Sequence, residues 1–260
     1  MKPAAWSKDR AESFLDEDAV HAYRHRAPYP DEVFSILAGL ITETPRVVLD
    51  VGCGSGAVAR YLTPLVDRVD AVDPSAAMIA AGRKLPGGDH PRLRWIADRA
   101  EDAPLQPPYA QIVAGMSLHW LDWEVALPRF ARILTPHGFL VVLYNSFGEV
   151  PWKEELRALR HEVRNYDYPR PLEAVDELEK DGLFQRCGAK ETTPIAFRQT
   201  VADYVEQHHS RSDMARVKIG VEGADRFDAE LRRILAKYVH GDEIALETTA
   251  RVVWGKPLCL

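Results

Sequence analysis

A chain of 260 residues is long enough to bury a sizeable core and most simply folds as one α/β domain with an elaboration. Its composition, 46% hydrophobic and 28% charged, is that of an ordinary globular protein, and a formal net charge of -6 gives no global basic field to recruit nucleic acid. The 3 cysteines, at positions 53, 187 and 259, have neither metal-ligand nor disulfide spacing, and there is no signal-type start or membrane-length apolar run, so the expected setting is the reducing cytoplasm.

The first clear element follows the leader Tyr23-Arg24-His25-Arg26-Ala27-Pro28-Tyr29-Pro30. Pro30, Asp31 and Glu32 suit a helix start, and Val33, Ile36, Leu37 and Leu40 recur at helical spacing, which predicts an amphipathic helix packed on a sheet. Next comes the stretch that organises the chain, Val47-Val48-Leu49-Asp50-Val51-Gly52-Cys53-Gly54-Ser55-Gly56, an apolar strand that breaks into alternating glycines before a helix over Ala57–Leu62. Glycines there let the backbone pass close to a bound molecule, and a helix N-terminus offers unpaired N–H groups, so a nucleotide-like cofactor is expected.

Arg68–Asp73 reads as a second strand ending in an acid, with Ser75 capping the helix that carries Met78 and Ile79. Leu93–Asp98, Tyr109–Met116 and Phe139–Tyr144 read as three more strands, with a helix over Trp123–Leu134 before the fifth. Strands alternating with helices at this cadence predict a mostly parallel sheet with helices on both faces.

Past Asn145 the rhythm changes. Trp152, Leu156, Leu159, Val163 and Tyr166 mark one helix face, and Ala189–Phe197 reads as a single strand placed at an edge or bulge by Pro194. Thr200 and Asp203 cap a helix through Tyr204 and Val205, a further helix carries Phe227, Leu231, Ile234, Leu235 and Tyr238, and the last strand spans about Ile244 to Trp254. The expected organisation is a leader and first helix over 1–44 covering a cofactor cleft, and a cofactor-binding core over 45–150. Late strands over 151–260 complete a seven-stranded sheet, with a helical substrate lid inserted at about 200–240.

Two cofactors fit a glycine-rich first turn and an acid closing the second strand. Asp73 stands 21 residues beyond Gly52, where a carboxylate accepts both hydrogen bonds of a ribose diol. A dinucleotide reading places Gly52, Gly54 and Ala57 in the fingerprint positions. Against it stands Asp50, an acid just before the turn, which suits a cofactor ending in an ammonium group better than a pyrophosphate.

At these residues the sequence resembles the class I S-adenosylmethionine-dependent methyltransferases, in particular the small-molecule branch grouped with the ubiquinone/menaquinone-type and trans-aconitate-type enzymes. The resemblance is carried by Val48–Gly56, by Val72-Asp73-Pro74-Ser75 with Met78, by Ala100-Glu101-Asp102-Ala103-Pro104-Leu105 and by Ser117-Leu118-His119-Trp120. It covers about Val47 to Tyr144 and is weak from Pro151 onward. It implies a Rossmann-like fold binding S-adenosyl-L-methionine, with Asp50, Gly52 and Gly54 along the methionine part and Asp73 on the ribose. Pro74 and Met78 would lie near the adenine, Asp98, Arg99 and Ala100 would form its other wall, and Met116, Ser117 and His119 would pass over the sulfonium. Relatives often have an acid where Arg99 stands, and an Asp where this chain has Gln111.

Methyl transfer from a sulfonium is an in-line displacement, so alignment and water exclusion do much of the work. A neutral amine needs little more than a pocket, whereas a phenol or alcohol needs a base, and His119 is the nearest titratable candidate. The competing readings of His119 are pocket wall and scaffold. Tyr23 is the second catalytic candidate, as a phenol folding back over the cofactor. Tyr29, Trp120, Tyr144, Asn145, Trp152, His208 and His209 are the candidate substrate-pocket residues. Adjacent histidines on a helix point in different directions, so no two-ligand metal site is expected. No Asn-Pro-Pro-aromatic or Pro-Cys motif follows the fourth strand, which disfavours a nucleic-acid base as acceptor.

The expected function is therefore methyl transfer to a nitrogen or oxygen of an aromatic or partly apolar small molecule by a monomer or homodimer, with no nucleic-acid or membrane partner. The alternatives are an NAD-dependent oxidoreductase and a noncatalytic binding protein built on this fold.

Overall fold

The computed structural model describes residues 16–164 and 173–258. Tyr166 and Cys259, read above from sequence, lie outside the described residues, as does the leader before Asp16. Two helices precede the sheet, α1 over Glu17–Tyr23 and α2 over Glu32–Gly39. Asp16 caps α1 by accepting from the backbone N–H of Asp18 and Ala19. A first alternating set follows: β1 Val47–Val51, the short α3 Ala59–Leu62, β2 Arg68–Asp73, α4 Ala76–Arg83, β3 Leu93–Ala97 and β4 Tyr109–Gly115. Then come α5 Trp123–Ile133, β5 Leu134–Phe147, α6 Lys153–Arg164, α7 Glu173–Lys180, β6 Phe184–Glu191, β7 Ile195–Thr200, α8 Val201–Glu206, α9 Arg216–Leu235 and β8 Glu243–Pro257.

The sheet runs in the order β3-β2-β1-β4-β5-β8-β6, with β7 also paired to β8. Pairs among β1 to β5 are parallel, and those made by β8 are antiparallel. The late region thus adds two strands where sequence suggests one. Pro194 cannot donate to a ladder, and the break it makes separates β6, along residues 251–257 of β8, from β7, along residues 243–248. The count is eight rather than seven.

Strand alternation builds two cores. Leu49, Ile112, Leu140 and Val142 face the α5 side chains Leu127 and Phe130 and the α7 residues Ala174 and Leu178. Their neighbours Val48, Val113, Val141 and Leu143 face Val33 and Leu37 of α2 and Leu62 of α3. Each fully buried Leu or Phe contributes roughly 1.5–3 kcal/mol. Gln111, fully buried, donates to the Leu37 carbonyl at 3.1 Å and so ties α2 to β4. A third apolar cluster joins α6, α8 and α9 through Trp152, Leu156, Tyr204, Phe227 and Leu231. Tyr238, expected on the apolar face of the last helix, lies beyond its end and is exposed.

Between β1 and β4 the strand order reverses, and the crevice beyond the carboxyl ends of such strands is where open α/β sheets bind ligands. Here that crevice is covered by α1 and by the short 3₁₀ turn Gln207–Ser210. Arg26, just past α1, donates from Nε to the Ser210 hydroxyl at 2.8 Å and from Nη2 to the Ser210 carbonyl at 2.6 Å.

Candidate functional site: two joined cavities at the switch point

The turn after β1 passes through Gly52, Gly54 and Gly56 at φ of 63°, 54° and 76°, a region that side-chain-bearing residues rarely adopt. A Cβ on Gly52 would stand 2.5 Å from that of Ser117, so β1 and the chain leaving β4 approach too closely for any other residue. Ser117 closes the junction by donating its hydroxyl to the Val51 carbonyl at 2.6 Å. Over Gly54 lies the Tyr23 hydroxyl, 3.6 Å from where a Cβ would be.

Asp73, the last residue of β2, is held at both oxygens. Oδ2 accepts from the Gly54 N–H and Oδ1 from the Ser75 N–H, each at 2.8 Å. Each oxygen keeps further lone pairs, because a carboxylate offers about four acceptor sites. Burial raises the Asp73 pKa, and the Ser75 and Gly54 N–H groups work against that rise. Ser75 caps α4 as expected, accepting from the Met78 N–H at 3.2 Å.

These groups border a cavity of about 290 Å³. Of the twelve residues that the resemblance places at a cofactor, the structure brings nine to its wall: Gly52, Gly54 and Asp73 at the turn, Pro74 and Met78 beside them, Arg99 and Ala100 opposite, and Met116 with Ser117 on the β4 side. Asp50, Asp98 and His119 do not line it. Asp50 lies behind the turn, 1% exposed, with its carboxylate accepting the Ala59 N–H at 3.1 Å. Asp98 turns back on its own chain and accepts the Arg99 N–H at 2.7 Å. Glu101 and Trp120 also line the cavity. The Glu101 carboxylate is fixed by the Asp122 N–H and sits 3.3 Å from Arg99.

The position of Asp50 changes one sequence argument. Burial first, with the Asp73 charge adding and the Ala59 N–H opposing, pushes its pKa up to about 7, so it does not present a fixed charge to the turn. A raised folded-state pKa means that the stability contribution of Asp50 is full below the ordinary carboxylate range and is lost as pH rises through about 7. Asp50→Asn keeps an oxygen for the Ala59 N–H. It is expected to flatten the decline of Tm between pH 5 and 8, which thermal melts across that range measure.

A second cavity, of about 260 Å³, adjoins the first and shares Tyr23, Arg26, Met116 and Trp120 with it. Met116 holds a φ of 54°, the one non-glycine in the left-handed region among the described residues. Such strain costs on the order of 1–3 kcal/mol and persists where the surroundings fix it, often at functional sites. The Met116 sulfur accepts the Asn145 N–H at 3.5 Å.

His119, 3% exposed and with its ring 4.4 Å from that of Trp120, reaches this second cavity, as do Tyr29, Asn145 and His208. The Tyr29 hydroxyl lies against Gly115, and burial holds its proton on above the ordinary phenol range. Asn145 is committed to positioning, donating to the Ala27 carbonyl at 3.2 Å and accepting from the Thr248 hydroxyl at 2.7 Å.

Three expected pocket residues lie elsewhere. Tyr144 precedes Asn145 on β5 and so faces the opposite side of the sheet, among Leu178 and Ala174. Trp152 donates its indole N–H to the Tyr204 hydroxyl at 2.8 Å inside the helical cluster. His209 points away from its neighbour His208, with Nδ1 2.9 Å from the Met214 carbonyl and Nε2 2.7 Å from Asp228. Sequence reasoning missed Arg160, Arg211 and Asp213, which line the second cavity from α6 and the loop after the 3₁₀ turn. Among the described residues no group of three His, Cys, Asp or Glu could hold a metal, and no helix is long and apolar enough to cross a membrane.

Residues 48–138, the segment that builds the first cavity, match the family profile described as a methyltransferase domain. Over that segment the chain is similar to methyltransferase domains. It is similar to an uncharacterized methyltransferase of Mycobacterium tuberculosis, 34% identical over 144 residues, which are 53% of this chain and 55% of that relative. The match thus spans about half of the relative's length. In fold, it is similar to a structure assigned to the type II methyltransferases from Anaeromyxobacter dehalogenans, with a TM-score of 0.63 at 21% identity over 89% of this chain and 97% of that one. The same methyltransferase fold is shared by the [4+2]-cyclase SpnF, with a TM-score of 0.52 at 17% identity over 90% of this chain and 85% of that one.

Proposed function

We propose that the chain binds S-adenosyl-L-methionine in the first cavity and transfers its methyl group to a nitrogen or oxygen of a small molecule held in the second. The observation that carries this reading is the wall the two cavities share. Tyr23, Arg26, Met116 and Trp120 line both, with Asp73 and the bare glycine turn on one side and His119 on the other. A carboxylate fixed by two backbone N–H groups with lone pairs to spare fits a ribose diol, and Pro74, Met78 and Ala100 fit the faces of an adenine.

When bound, that cofactor supplies an electrophilic methyl on a sulfonium. The residues of this chain do the rest. Asp73 and the Gly52–Gly54 backbone orient, and Met116 and Trp120 border both cavities and set the line between them. Tyr23 and Arg26 border both cavities, and Arg26 ties them to the Gln207–Ser210 turn, a position from which these groups shield the reacting atoms from water. His119 takes a proton from the acceptor where that acceptor is a hydroxyl, and shapes the wall where it is an amine.

Calorimetric titration with S-adenosylmethionine, S-adenosylhomocysteine and NAD tests the reading. Micromolar binding of both adenosyl ligands with none of NAD is expected. Binding of NAD alone would replace the reading with an oxidoreductase.

A further inference from the structure

Among the described residues the second cavity is lined by three guanidiniums, Arg26, Arg160 and Arg211, and one carboxylate, Asp213. That carboxylate is already shared, since Arg164 donates to Oδ2 and Arg211 Nε lies 3.2 Å from Oδ1. Arg26 directs its donors to the hydroxyl and carbonyl of Ser210 and stacks on the Tyr23 ring at 4.2 Å, partners that bear no formal charge.

Arg160 is the group left over. Among the described residues it pairs with no carboxylate; one Nη donates to His208 Nδ1 at 2.8 Å, and its Nε is buried with no partner. A guanidinium can only donate, so Nδ1 of His208 is an acceptor and the ring proton belongs on Nε2, which is also buried without a partner. Burial first, then the Arg160 and Arg211 charges, hold His208 in the neutral form that this tautomer requires. Burial and the neighbouring Arg211 charge likewise push the Arg160 pKa below the ordinary guanidinium value, with Asp213 opposing. Buried unpaired donors beside a cavity are costly unless a ligand completes them.

We infer that the second cavity is an oxyanion subsite, in which a carboxylate or phosphate group of the methyl acceptor docks on Arg160 and His208 within the field of Arg26 and Arg211. This inference rests on the proposed function for the reacting end of the molecule. An anion held on α6 would leave the remainder of a small molecule extending toward Met116 and Trp120, the wall common to both cavities. The space of about 260 Å³ suits a compact molecule.

The test is calorimetric titration of the full chain, with and without S-adenosylhomocysteine. Glutarate and inorganic phosphate serve as anionic probes, and glutaramide is the uncharged match for glutarate. The wild type is expected to bind at least one anion and to bind glutaramide at least tenfold more weakly than glutarate where glutarate binds. Arg160→Gln is expected to weaken anion binding tenfold or more with S-adenosylhomocysteine affinity unchanged. Where Arg160→Gln fails to give a cooperative melt, Arg160→Lys carries the comparison, with a severalfold loss expected because an ammonium lacks the planar fork. Glutarate alone points to a carboxylate, phosphate alone to a phosphoryl group. No anion binding by the wild type, or equal anion affinity after either substitution, would overturn the subsite. Anion binding that persists without any S-adenosylhomocysteine binding would instead sink the cofactor reading and leave the subsite standing.

Discussion

Asp73→Ala is expected to weaken S-adenosylhomocysteine binding at least a hundredfold, measured by calorimetry. The carboxylate is 8% exposed and aimed by two backbone N–H groups, so its orientation is set before any ligand arrives. Two charge-assisted hydrogen bonds to a ribose diol contribute roughly 3–6 kcal/mol together, and every 1.4 kcal/mol is about tenfold in affinity. The substitution also strands the Gly54 and Ser75 N–H groups, so a lower Tm is expected. Asp73→Asn separates the two effects because it retains one oxygen. Its melt is expected closer to wild type while its affinity still falls by tenfold or more. Unchanged affinity in a folded Asp73→Ala protein would remove the ribose role from this residue.

Asp213→Ala is the substitution with the largest expected effect on stability. Its carboxylate is 3% exposed and lies between Arg164 and Arg211, with Arg160 beyond. Burial alone would raise its pKa, but the Arg211 and Arg164 guanidiniums outweigh burial and hold it below the usual carboxylate range. Removing one member of a buried ion pair costs about 3–5 kcal/mol, because the remaining charges stay where they are. The lower end is expected here, since Arg211 is 39% exposed and water screens its share. For a chain of this size that is a fall in Tm of about 6–10 °C by calorimetry. A depressed folded-state pKa contributes stability that is present above the ordinary carboxylate value and lost as pH falls through the folded one. The gap between wild type and variant is therefore expected to close in acid, below about pH 4. A gap that holds constant into acid would show that the charge of Asp213 is not what stabilises the wild type.

What could be read from sequence was what the chain places close together along itself. The glycine turn, Asp73 and the Ser75 cap lie within 24 residues of one another, and strand-turn-helix geometry fixes their relation without reference to the rest of the molecule. Residues whose facing depends on pairing partners were harder. Tyr144 and Asn145 are equally plausible pocket residues until the register of β5 decides which one turns toward the leader. His208 and His209 differ in the same way, by the facing of one turn. Asp50 was drawn to the ligand by its place before the glycines, though a strand buried on both faces carries it behind the turn. Arg160 gave no signal, because the apolar stripe of α6 drew attention to Leu156 and Leu159 while its polar face met the cavity. Nothing local announces that a helix 100 residues beyond β1 returns to its edge.

The most direct measurement is the structure of the chain with S-adenosylhomocysteine bound. The account predicts the ribose on Asp73, the adenine between Met78 and Ala100, and the sulfur at Met116 facing the cavity that holds His119. A ligand bound away from Asp73, or one whose sulfur faces away from that second cavity, would contradict it.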